Sequence, residues 1–233
     1  MTEQKLSDYT DYLYLPDAAT ARDLATFLTR ARSVDPQAAV RLEASGQVLG
    51  VSACLLAPET LLDVTPTVIG LRAIKLTQPA EVDLTVEAAA LLDRLARIEE
   101  AGLALALPPV TVTAPWVGRT VPRSGWEKKG FYLSDHARAA AQEGISAVDG
   151  ALPANPGHAV VATVRSRIWS SPLEAADTPV NLPTGAAFAL EVLGFLPPRA
   201  TEPMPVFSSG RWARISARAG HVLVYSAAPT VAS

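Results

Sequence analysis

The sequence predicts an α+β protein. An N-terminal mixed α/β domain with a largely antiparallel sheet precedes a C-terminal domain of three helices and a β-hairpin, a winged-helix-like arrangement. Three observations carry this reading. Alternating apolar and polar residues recur in short runs separated by turn signals. Ala-rich stretches with capping residues show the helical period. The composition also changes in the Trp/Pro/Gly/Arg-rich stretch after residue 115. Of 233 residues, 49% are hydrophobic and 18% charged, against about 25% charged in a typical soluble domain. Such a chain has ample apolar material for a core, which excludes disorder as a description of the whole.

Tyr9–Leu15 alternates bulky and polar residues, as a strand does. Pro16-Asp17 then opens a helix over Ala18–Arg32, with Asp17 as N-cap and Ala21, Leu24, Ala25, Leu28 and Ala31 on one face. Val40–Ala44, a turn at Ser45-Gly46-Gln47, and Val48–Ala57 read as a hairpin. An alternating run follows from Pro66 to Leu76, then a helix over Thr85–Glu100 with Gly102 at its C-terminal cap, then an extended run over Val110–Thr113. Trp116–Phe131 reads as an irregular connector. The domains are therefore expected at 1–115 and 134–233, joined by 116–133. Beyond the connector, Ser134 caps a helix to about Asp149, and Asn155-Pro156 starts a second, His158–Trp169, which also fits a strand. A third helix, Gly185–Leu196, is apolar nearly all round and is expected to be buried. Val206–Ser216 and His221–Ser226 close the chain as a hairpin, with Trp212 and Tyr225 as cross-strand partners.

The search for chemistry mainly excludes. Neither G-x-x-x-x-G-K-[ST] nor G-x-G-x-x-G is present, and G-x-S-x-G is absent. Cys54 is the sole cysteine, so no disulfide forms within the chain, and it reads as a small buried hydrophobe. His136, His158 and His221 are far apart, and no metal site or cofactor is expected. Ser134-Asp135-His136 holds triad residue types, but consecutive residues at a helix start diverge by about 100° each and do not hydrogen-bond in series. Arg97–Gly102 is the nearest match to an acetyltransferase-type phosphate turn. It ends a helix where the dipole repels anions. The N-terminus lacks an apolar signal sequence, and the uncharged stretch 101–118 is broken by Pro108, Pro109 and Pro115. A cytoplasmic, non-membrane protein is expected.

Net charge is −3, made of −5 over residues 1–151 and +2 over 152–233. Arg211, Arg214 and Arg218 gather around the terminal hairpin. They are the residues of a nucleic-acid alternative, which is disfavoured because Gly185–Leu196 offers no base- or phosphate-reading side chain. The best candidate surface is the connector, with Trp116, Arg119, Arg123, Trp126 and Phe131, since Trp and Arg dominate binding hot spots. The same tryptophans could instead plug a domain seam or line a small-ligand site.

Pro122–Glu127, Leu182–Phe188 and Gly220–Val224 together resemble a family of uncharacterised proteins of high-GC Gram-positive bacteria. That resemblance covers most of the chain and implies no activity or site residue. The expectation is a non-catalytic protein that acts by self-association or through protein partners. The alternatives are a winged-helix-like nucleic-acid binder and a small-molecule enzyme with its site between the two parts.

Overall fold

In the computed structural model, residues 11–60, 63–174, 177–198 and 200–226 are described. Along them run β1 (Tyr12–Tyr14), α1 (Ala18–Val34), β2 (Ala39–Leu56), β3 (Thr67–Glu87), α2 (Ala88–Leu95), β4 (Ala104–Ala106), β5 (Glu127–Leu133), α3 (Ser134–Ala151), α4 (His158–Trp169), α5 (Thr184–Val192), β6 (Pro203–Ser209), β7 (Trp212–Ser216) and β8 (His221–Tyr225). This is the mixed α+β class with antiparallel pairing that the sequence predicts. The chain divides into two compact units, 1–53 with 71–118 and 54–70 with 119–233. It passes between them inside β2, inside β3 and after Gly118.

In the first unit Asp17 caps α1 as its sequence signal implies, its Oδ1 accepting from the Thr20 N–H at 2.7 Å. The bond holds the Asp17 carboxyl below its ordinary pKa. Ala21, Leu24, Phe27, Leu28 and Ala31 form the buried face of α1, which packs on α2. β1 pairs with β4, Leu13 opposite Leu105; positions 9 and 10 of the expected strand lie outside the described residues.

The expected hairpin at residues 40–57 is instead one continuous strand, β2. Its buried positions are even-numbered at Val40, Leu42 and Ala44 and odd-numbered at Leu49, Val51 and Ala53. One extra residue is thus absorbed between them, and Gly46 at φ +62° supplies the left-handed position of a β-bulge. The Ser45-Gly46-Gln47 signal marks the bulge, because β3 is present to hold it. Glu81 accepts from the Gly46 N–H at 3.0 Å, Gln47 donates to the Thr77 carbonyl, and Arg41 grips Asp83 with two 2.8 Å bonds. Partners fall from 83 to 77 as positions rise from 41 to 47, so these strands run antiparallel.

The expected helix over 85–100 is also corrected. Thr85 and Val86 still belong to β3, with the Thr85 carbonyl accepting from Val112, and the helix spans only Ala88–Leu95. Val110–Thr113 is not a strand.

In the second unit, the expected connector ends early: Glu127–Leu133 is a strand paired with β6. Hydrogen-bonded strand order is β2-β3-β8-β7-β6-β5. The expected terminal hairpin is therefore not a free wing. Val206–Ser216 is split by a turn at Gly210 (φ +56°) into β6 and β7, and the β7–β8 pair is continued by β6 and by β3. The helices α3, α4 and α5 pack on one another. α5 is buried through Gly185, Ala186, Ala187, Ala189 and Leu190, as its apolar composition implies. Ser134 does not cap α3 with its side chain. It is fully buried, donates to the Ala200 carbonyl at 3.0 Å and accepts from the Glu202 N–H at 2.9 Å. Cys54 is half-buried, with Sγ 3.1 Å from the Leu56 carbonyl.

Gly130 sits at a bulge of β5, with φ +139°, and a Cβ there would overlap the Asp177 carbonyl oxygen. Gly130→Ala is expected to destabilise the protein by at least about 2 kcal/mol in urea unfolding, through strain and backbone overlap. Gly150→Ala, in α3 with open space at its Cβ, is expected to be neutral or stabilising by up to about 1 kcal/mol.

Candidate functional site

The second unit's sheet has two distinct faces because its strands alternate. Val206, Ala213, Ile215, Val222 and Val224 are fully buried. The intervening Phe207, Trp212, Arg214 and Tyr225 therefore share the opposite face. Register places Phe207 beside Arg214 and Trp212 beside Tyr225. The last two rings meet edge to face with centroids 5.2 Å apart.

Two side chains of the 119–126 segment lie on this face. The Arg119 guanidinium is 4.3 Å from the Tyr225 ring centroid, and that of Arg211 is 5.7 Å from the same ring. Arg211 also donates to the Tyr225 hydroxyl at 3.2 Å. Trp126 donates its indole N–H to the Pro122 carbonyl at 2.8 Å, which folds the segment on itself. Its ring lies 4.6 Å from the Arg214 guanidinium, and the Phe207 ring lies 4.5 Å from it.

Arg214 is therefore held between two aromatic rings as a half-buried cation. Its Nε is buried without a hydrogen-bond partner, and neither Arg214 nor Arg119 meets a carboxylate among the described residues. Burial lowers the Arg214 pKa, but a guanidinium remains charged at neutral pH. On β8, His221 contacts the Ser216 hydroxyl through Nδ1 at 3.0 Å. Burial, and then the Arg214 charge, hold His221 below its ordinary value of 6.5. The arrangement presents cations and flat rings in fixed positions, together with the Ser216–His221 contact.

The structure thus merges parts of two sequence candidates. Arg119 and Trp126 from the connector join Arg211 and Arg214 from the hairpin. The others lie elsewhere. Trp116 is buried within the first unit, in a 3-10 turn over Pro115–Gly118. Arg123 is exposed. Phe131 lies in β5 and donates its N–H to the Asp177 carbonyl at 3.0 Å. Arg218 pairs with Glu202 at 3.0 Å. Sequence reasoning missed Phe207 and His221, although alternation along β6 and β8 puts them on this face. No group of His, Cys, Asp or Glu among the described residues could hold a metal ion. No helix among them is long and apolar enough to cross a membrane.

Residues 9–118 match a family model described as a domain of unknown function, DUF8010, and residues 121–229 match a second, DUF8185. No curated protein sequence matches the chain. Among solved structures it is similar to the sliding clamp (DNA polymerase III subunit beta) of Bartonella birtlesii bound to griselimycin. That likeness has a TM-score of 0.50 and 11% identity, over 95% of this chain and 66% of that one. It is also similar to the polymerase III beta protein of Caulobacter crescentus, at TM-score 0.46 and 13% identity over 88% of this chain and 63% of that one. A Pseudomonas aeruginosa sliding clamp matches at TM-score 0.46 and 12% identity, over 92% of this chain and 64% of that one. The chain spans a little under two-thirds of these clamps' length, and the likeness is one of fold.

His221 is expected to titrate below 6.5 by NMR, with its midpoint rising but not fully restored in Arg214→Gln, because burial is the larger cause. The neutral imidazole is favoured in the folded chain, so its contribution to stability is present above the unfolded-state pKa near 6.5 and is lost as pH falls through the folded value.

Proposed function

We propose that this is a non-catalytic cytoplasmic protein that works by association, and that its contact surface is the cation–aromatic face of the second unit. The observation that supports this is Arg214, a half-buried cation fixed between Trp126 and Phe207 with an unpartnered Nε and no carboxylate among the described residues. Arg and aromatic residues held rigid before binding lose little side-chain entropy on contact, which is how hot spots are built. The missing element is an anion, so the partner is a protein segment that brings a carboxylate alongside apolar surface. An isologous contact with a second copy would set Arg214 and Arg119 against their own kind. That disfavours a symmetric dimer through this face.

The similar Bartonella protein is a sliding clamp and a subunit of DNA polymerase III, and a fold that serves as a subunit is compatible with a role in association. Nucleic-acid binding through Arg211, Arg214 and Arg218 is the competing reading. It is weakened because Arg218 is paired with Glu202 and because α5, the helix a winged-helix reader would offer to a groove, is buried.

Affinity capture from nuclease-treated lysate of cells expressing the protein tests this. Proteins retained by the wild type and by the surface control Arg22→Ala are expected to fall at least about tenfold with Arg214→Ala or Trp126→Ala. Undiminished retention by both variants contradicts the reading. Duplex-DNA binding that weakens steeply with salt and requires these arginines would support the competing one.

A further inference from the structure

On the helical side of the second unit, opposite the cation–aromatic face, lies an open groove of about 710 Å³. That is within the size range of small-molecule sites. One wall is the face of α3 carrying Ala139, Ala140, Gly144 and Ala147, and the other carries Ile168 and Leu173. The wall is rigid where it matters: a Cβ at Gly144 would overlap the Trp169 ring, and that ring stacks on Phe188 with centroids 4.4 Å apart. Small residues backed by a fixed ring make a flat apolar slot, which suits a ring or a short aliphatic body.

A second, independent feature marks the groove as more than a packing defect. Tyr132, only 1% exposed, lines it, and its phenolic oxygen is buried with no hydrogen-bond partner among the described residues. Burial, aided by the nearby Asp135 charge, raises this phenol to a pKa of about 12, so it is a neutral O–H donor. A buried donor left unmatched costs free energy that an acceptor recovers. Glu143, Glu174 and Arg167 also line the groove, and none of them has an ion-pair partner among the described residues. Two carboxylates and one guanidinium line the groove, with the His136 imidazole beside them, so acids outnumber the permanent cation two to one.

From this we infer that the α3 groove is a binding site for a small amphipathic cation: a flat or aliphatic body in the slot, a hydrogen-bond acceptor facing the Tyr132 hydroxyl, and a positively charged nitrogen among the acids. The inference is independent of the association surface, which uses the other face of the sheet.

Protein-observed NMR on the full chain tests it with three small probes. Tyramine has the ring, the acceptor oxygen and the ammonium; phenethylamine lacks the oxygen; 4-hydroxyphenylacetate exchanges the cation for a carboxylate. Tyramine is expected to shift amides of residues 139–147 and 167–174 selectively, and to bind at least about tenfold tighter than 4-hydroxyphenylacetate. Tyr132→Phe is expected to weaken tyramine by about three- to tenfold, the range of one neutral hydrogen bond, and to leave phenethylamine unchanged. Because the phenol has no hydrogen-bond partner among the described residues, this variant is expected to fold with undiminished stability. Ala140→Phe, checked for folding by circular dichroism, is expected to abolish binding by filling the slot. The inference is overturned if no probe gives groove-localised shifts at 10-millimolar order, if the anion binds as well as the cation, or if Tyr132→Phe weakens both amines equally.

Discussion

The candidate site depends on one interaction, the Arg214 guanidinium held between the rings of Trp126 and Phe207. Phe207 is placed by sheet register alone. Trp126 belongs to a segment with no regular secondary structure, and its stacking on the cation is part of what fixes that segment to the sheet. A cation–π contact is worth about 0.5–1 kcal/mol when exposed and about 2 when desolvated. Arg214 lies between those limits and has two rings. A salt bridge at the same place would hold the arginine as well, but would neutralise it. Aromatic stacking orders the charge and leaves it available.

Several features of the fold were legible in the sequence because they are local. Asp17 caps α1 through a bond three residues away, and α5 is buried because almost every side chain from Gly185 to Leu190 is apolar or small. Trp212 and Tyr225 pair because they share a short antiparallel register. Other features were not legible, because the same residues serve different structures in different surroundings. Ser45-Gly46-Gln47 makes a turn if the chain must reverse and a bulge if a neighbouring strand supplies Glu81 and Thr77. Thr85 and Val86 fit a helical pattern, yet they also complete β3, where burial on the sheet outweighs weak helical preference.

The site shows the same division. Arg119 and Trp126 stood out by residue type, and Arg211 and Arg214 by clustering. That these pairs share one face, while Trp116 and Arg218 do not, depends on contacts across about a hundred positions, which no sequence window contains. Tyr132 was still harder to recognise: in sequence it is another β-strand aromatic, and it is distinguished by a buried hydroxyl with no partner among the described residues.

The central claim is that Arg214 is an ordered, unpaired cation between two rings, and the Arg214 Nε–Hε resonance reports on it directly. The account predicts a single resonance shifted upfield by the Trp126 and Phe207 ring currents, slow to exchange with water because Nε is buried. In Trp126→Leu it should move toward the free-arginine position and exchange faster. An Arg214 resonance already at the free-arginine position in the wild type, exchanging rapidly and indifferent to Trp126, would contradict the account.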